Sequence, residues 1–286
     1  MDPLLSGDRE NIEAALKVSG YGTTIADARQ YLNDWIDTMK PEYMMASTPH
    51  DFTFDGSSGG TLSGVKKLGL NEDSLQDPFA FTDLSGIDCK GCEETDQMPS
   101  IINEDSDFLT DVLMKVCEER NLPLALKIGA HRGVNPDLLS AGDGMIFADA
   151  GTLARLCSKF PKVRFLATFL SKGNQHEAIV LASKFRNLHL YGCWWYCNNP
   201  SIIEEITRMR VEMLGTSFTA QHSDARVMDQ LIYKWAHSRA VIAKVLAGEY
   251  QKMLNSGWRL TREEIRRDTS RLFGGAYEEF MAKDLT

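Results

Sequence analysis

The chain has 286 residues, of which 43% are hydrophobic and 25% charged, and its net charge is −9. That length and balance fit one large α/β domain or two smaller ones, and the absence of any basic stripe disfavours a nucleic-acid partner. No apolar run approaches the roughly 18 residues of a membrane span. The opening MDPLLSGDREN carries neither the basic nor the apolar region of a signal peptide, so cytoplasmic residence is expected.

Residues 7–40 read as helical: GDRENIEAALKV has apolar positions at helical spacing, and TTIADARQYLNDWIDTMK follows with Thr23 or Thr24 as N-cap. EYMMASTPHDFTF reads as a strand running into a loop. From about Gly56 to Asp105 the character changes. GSSGGTLSGVKK is rich in Gly and Ser, and the stretch after it is acidic and aperiodic. Between Asn71 and Asp107 eleven acidic residues face one lysine, Lys90, a net of −10 that leaves the rest of the chain near neutral. Residues 56–105 are therefore read as a flexible acidic insertion within a single domain spanning 1–286.

Beyond the insertion the pattern is regular. The helix FLTDVLMKVCEERN precedes the strand LPLALKIGA, TLARLCSKF precedes VRFLATFLS, NQHEAIVLASKF precedes LHLYGCWW, and SIIEEITRMRVEM precedes TSFTAQ. Alternation of this kind implies a parallel sheet with right-handed crossovers. Two long helices close the chain, the second opened by a Thr261–Glu264 capping box. With EYMMAS the strands number five, where a (β/α)₈ barrel needs eight. An open doubly wound sheet and the later part of a barrel both fit.

Parallel sheets place chemistry at the carboxyl ends of their strands. The polar residues there are His50; His131 and Arg132; Ser171, Lys172 and Asn174; Trp194 and Trp195; and His222, Asp224 and Arg226. Arg132 and Arg226 suit an anionic substrate, since each guanidinium can grip a carboxylate bidentately. Asp224 or Ser223 would serve equally as an N-cap of the next helix. Trp194 and Trp195, alternating in a strand, would face opposite sides of it, and burial explains them as well as sugar stacking does. His131 and His176 read as structural histidines. The six cysteines, Cys89, Cys92, Cys117, Cys157, Cys193 and Cys197, read as reduced thiols. The Cys89/Cys92 pair lacks the context of a zinc or redox site, and Cys193 and Cys197 read as packing residues.

The segments IGAHRGVNP, FLSKGNQHEAIVLASKF, YGCWWYCNNP, QHSDARVMDQLIYKW and RRDTSRLF resemble the uronate (glucuronate) isomerase family of the amidohydrolase superfamily, nearly continuously from Leu122 to Met281. MDPLL is similar to the end of that family's Arg-Leu-Asp-Pro strand, and the insertion departs from its pattern. The resemblance implies a distorted (β/α)₈ barrel that interconverts hexuronates, D-glucuronate with D-fructuronate or D-galacturonate with D-tagaturonate, through an enediol. It implies that Asp224 is the metal-site carboxylate and proton-transfer group, that Arg226 holds the substrate carboxylate or the enediolate, and that Arg132, Trp194 and Trp195 shape the sugar pocket. Zinc or another divalent metal is the implied cofactor. Set against the family, the chain lacks His-x-His and about the first three strands. The expectation is an incomplete TIM barrel with C-terminal helices, without bound metal or turnover on its own, and compatible with a homo-oligomer. Two other readings stay open. One is a non-catalytic homologue or binding partner that uses the acidic insertion. The other is a metal-dependent hydrolase, for which His131 is the available extra ligand.

Overall fold

The computed structural model describes Leu4, residues 9–55 and residues 108–285. The insertion, the CxxC pair and the MDP start lie outside the described residues.

Two helices open the described chain, α1 (Arg9–Val18) and α2 (Ile25–Met39), before strand β1 (Met44–Ser47). Thr24 caps α2 through the reciprocal box with Asp27, and Ala28, Leu32 and Ile36, one turn apart, give it a buried stripe. A π-helical turn, Phe108–Met114, leads into α3 (Lys115–Glu119) and strand β2 (Leu124–Ile128). A short antiparallel flap of β3 (Ala130–His131) and β4 (Gly144–Met145) follows, then α4 (Ala150–Lys159), β5 (Phe165–Phe169), α5 (Gln175–Ala182) and β6 (Leu188–Leu190). Next comes α6 (Pro200–Leu214). The chain closes with α7 (Met228–Asn255), α8 (Arg262–Ser270) and α9 (Ala276–Met281). Thr261 and Glu264 form the expected box at α8, but a π-helical turn with Gly274 at φ 146° separates α8 from α9, so the last helix of the sequence reading is two.

The sheet is parallel throughout, in the order β1-β2-β5-β6. Beyond β6 the expected fifth strand shrinks to one parallel pairing, Tyr191 with Thr219, fixed by Gly192 N–H to Thr219 O (2.8 Å) and Thr219 N–H to Leu190 O (3.0 Å). Neighbours in space are therefore neighbours in sequence, and the order never doubles back as it does in a doubly wound sheet.

Strand alternation divides the core. Leu124, Leu126, Phe165, Ala167, Phe169, Leu188 and Leu190 face the helices and share one apolar cluster with them. Ala125 and Leu166 point the other way, where Phe280 of α9 covers them together with Tyr191, Tyr277 and Met281. Burial on both faces explains why β2, apart from Lys127, and β5 read as near-continuous apolar runs rather than alternating ones.

Candidate active site

One lysine interrupts the apolar run of β2. The Lys127 ammonium donates to the Asp224 carboxylate at 2.5 Å and lies 4.1 Å from the ring centre of Trp194. A charge this far inside the fold needs an anion and a polarisable face, and here it has both. Asp224 itself sits in the left-handed region, φ 44°, in an extended loop held from behind by Lys234, which donates to the carbonyls of Ser223 (2.9 Å) and Asp224 (3.2 Å). Helix α7 starts only at Met228, with Val227 at the N-cap, so neither Ser223 nor Asp224 caps it. The Arg226 N–H is instead received by the Gln230 side chain at 2.7 Å.

The second group of charges lies on the flap. Arg132 is ion-paired with Asp143, whose other oxygen accepts from Gly133 N–H at 3.0 Å. The Arg132 hydrogen bond is the main cause that holds the Asp143 carboxyl below its usual range, and the charge of Arg226 adds to it. Arg132 contacts that carboxylate, and Arg226 acts on it only through its charge. The guanidinium of Arg132 also lies 5.6 Å from the ring centre of Trp195, which stacks on Tyr196 at 4.8 Å, and the Tyr196 hydroxyl donates to Asp143 O.

The tryptophans correct the sequence reading. They do not alternate in a strand: β6 ends at Leu190, Gly192 turns the chain at φ 61°, and Trp195 at φ 46° opens a 3₁₀ turn through Cys197. Trp194 is buried against Lys127, and Trp195 is partly exposed beside Arg132. The turn requires glycine, because a Cβ on Gly192 would fall 2.1 Å from the His222 ring. His222 is burial-shifted down to about 4 and stays neutral at pH 7, with Nε2 lacking a partner.

The remaining strand-end residues scatter. His50 and His131 stack on each other at 4.4 Å. Ser171 receives Gly173 N–H, Lys172 pairs with Glu205, and Asn174 clamps both the N–H and carbonyl of Ala148. His176 is exposed on α5. Cys193 and Cys197 are buried thiols, as expected of packing residues, and burial pushes Cys197 up to about 12.

Two site residues escaped the sequence reading. Lys127 had a signal, a lysine within LALKI where every neighbour is buried. Asp143 had little beyond its place between two glycines at the flap's return. Among the described residues, no group of three His, Cys, Asp or Glu side chains could hold a metal ion. Since Asp224 is also taken up by Lys127, the described residues do not fit a zinc site, which wants three protein ligands.

The arrangement defines a class first: a parallel α/β protein whose charged site gathers at the carboxyl ends of consecutive strands. No family model matches the chain, and no curated protein does. Solved structures do. A uronate isomerase from Bacillus halodurans C-125 is 38% identical with a TM-score of 0.77, over 99% of this chain and 58% of that one. A uronate isomerase from Thermotoga maritima (17% identity, TM-score 0.64, 98% and 60%) and a glucuronate isomerase from Caulobacter crescentus (15%, 0.59, 92% and 53%) share the fold. The chain is similar to these uronate and glucuronate isomerases and spans less than two thirds of the length of all three. No described helix is long and apolar enough to cross a membrane.

Proposed function

We propose that the chain carries the substrate-gripping part of a uronate isomerase site, for aldose–ketose isomerisation of hexuronates such as D-glucuronate or D-galacturonate. The observations that carry the reading are the Arg132–Asp143 ion pair on the flap and the Lys127–Asp224 pair at the strand ends. An incoming sugar carboxylate takes the place of Asp143 on the Arg132 guanidinium, with the Arg226 charge adding to the attraction. Trp195, already beside Arg132, offers its face to the sugar. Asp224 is the group placed to move the proton between adjacent carbons, and Arg226 and Lys127 supply the positive charge an enediolate needs. In this reading the four strands and the Thr219 segment are consecutive staves of a (β/α)₈ barrel, in one domain that the 56–105 segment interrupts.

The test is tryptophan-fluorescence titration with D-glucuronate and uncharged D-glucose. Arg132→Gln should weaken glucuronate about tenfold, the loss of one charge-assisted contact, and leave glucose unchanged. Equal affinity of the wild-type protein for both sugars contradicts the reading.

A second reading follows from the ammonium on Asp224: a hexuronate-binding protein without turnover. Incubation with glucuronate followed by NMR decides it, because any ketose formed by the 286-residue protein ends that reading.

A further inference from the structure

Arg210 is buried on the stripe of α6 that also carries Ile203, Ile206 and Thr207, with 1% of its surface exposed. Among the described residues no carboxylate offsets its charge. A buried cation without an anion is costly, and an apolar side chain of similar volume fills such a place without that cost. Packing alone therefore does not account for an arginine here. What the guanidinium does is span. One terminal nitrogen donates to the Gly192 carbonyl at 3.0 Å, the other donates to the Gln175 side-chain oxygen at 3.0 Å, and the group lies 5.7 Å from the ring centre of Phe218. Gln175, itself 1% exposed, passes the contact on by donating to the carbonyls of Phe169 (3.0 Å) and Ser171 (3.4 Å). One side chain thus reaches the end of β5 through Gln175, the end of β6 at Gly192, and the neighbouring 217–221 segment at Phe218.

Gly192 is the pivot of the tryptophan turn. Its N–H is received by Thr219 and its carbonyl by Arg210, so both sides of the residue are held. Two and three residues on, Trp194 meets Lys127 and Trp195 meets Arg132. A planar guanidinium holds two acceptors at a fixed separation, which the single head of a lysine does not. We propose that Arg210 is a positioning residue for the candidate site: its fork sets the direction in which the chain leaves β6, and so seats Trp194 on Lys127 and Trp195 beside Arg132. The seating rests on geometry alone; that it serves a hexuronate rests on the function proposed above.

The test is fluorine NMR of the protein labelled with 5-fluorotryptophan, its five signals assigned by single Trp→Phe changes. Trp35 on α2 and Trp258 beyond α7 serve as internal references. Arg210→Lys keeps the charge and Gln175→Leu keeps the arginine, and each cuts the span from one end. Both should shift the Trp194 and Trp195 signals, leave Trp35 and Trp258 unmoved, and weaken D-glucuronate about fivefold, the worth of one well-placed aromatic face. A merely structural Arg210 would lower the urea midpoint of the variants while the Trp194 and Trp195 signals stay in place, and that result overturns the proposal. Glucuronate bound equally by the wild type and both variants also overturns it, and leaves the hexuronate function standing. If the two signals shift and the wild-type protein binds no glucuronate, the seating stands and the hexuronate reading fails. Should neither variant fold, the wild-type protein decides: Arg210 guanidinium protons that exchange slowly with water and show Overhauser contacts to Gly192 uphold the clamp, and fast exchange overturns it.

Discussion

Replacing Lys127 by Met keeps the length of the side chain and removes the charge between Asp224 and Trp194. At 2.5 Å and an effective dielectric constant of about 20, the gross attraction of the pair is about 7 kcal/mol. Desolvation offsets most of it. Breaking a closed buried pair costs about 3–5 kcal/mol, but the Asp224 side chain is 34% exposed against 14% for Lys127, so water still solvates the orphaned carboxylate. About 2 kcal/mol is the expected coupling, with about 1 kcal/mol more for the lost contact to Trp194. Urea unfolding of the wild type, Lys127→Met, Asp224→Asn and the double variant measures it as a cycle. Asn tolerates the left-handed backbone at 224, so the second substitution isolates the charge. Single losses that add to within about 0.5 kcal/mol in the double variant would refute the pairing.

Gly192→Ala combines a left-handed backbone with a Cβ inside the His222 ring and should cost about 3 kcal/mol in the same assay; a loss below about 1 kcal/mol contradicts the geometry. Phe280→Ala uncovers Ala125 and Leu166 and should cost about 3 kcal/mol, whereas a neutral result would detach α9 from the sheet. Buried His189, bonded to Thr219 and shifted down to about 3 mainly by burial, is neutral in the fold, while the unfolded chain binds its proton below about pH 6.5. Its contribution is whole above that pH and is lost as pH falls toward 3, about 2 kcal/mol by pH 5. His189→Gln should flatten the pH–stability slope between pH 6.5 and 5 by about one proton, and an unchanged slope would show that the ring is charged in the fold.

Local rules made part of this molecule legible. The Thr24 and Thr261 boxes need only residues three apart, and both form. Near-continuous apolar runs marked β2 and β5 because both faces of the sheet are covered. What failed depends on distant partners. Helix α7 starts late because Lys127 and Lys234 hold residues 223 and 224 in a loop, from 97 and 10 residues away from Asp224. The tryptophans leave the strand because Gly192 turns against His222, a contact across 30 residues of chain that no periodicity encodes. TSFTAQ has a strand's composition but pairs by a single bridge. At the candidate site, the strand-end rule singled out Arg132, Trp194, Trp195, Asp224 and Arg226. It gave neither the ion pair that restrains Asp224 nor the flap carboxylate that pairs with Arg132.

The most direct test of the central claim is a crystal structure of the protein with D-glucuronate at saturating concentration. The account predicts the sugar carboxylate on the Arg132 guanidinium, with Asp143 displaced and the carbon chain within reach of Asp224. Glucuronate bound elsewhere, with Arg132 still paired to Asp143, would contradict it.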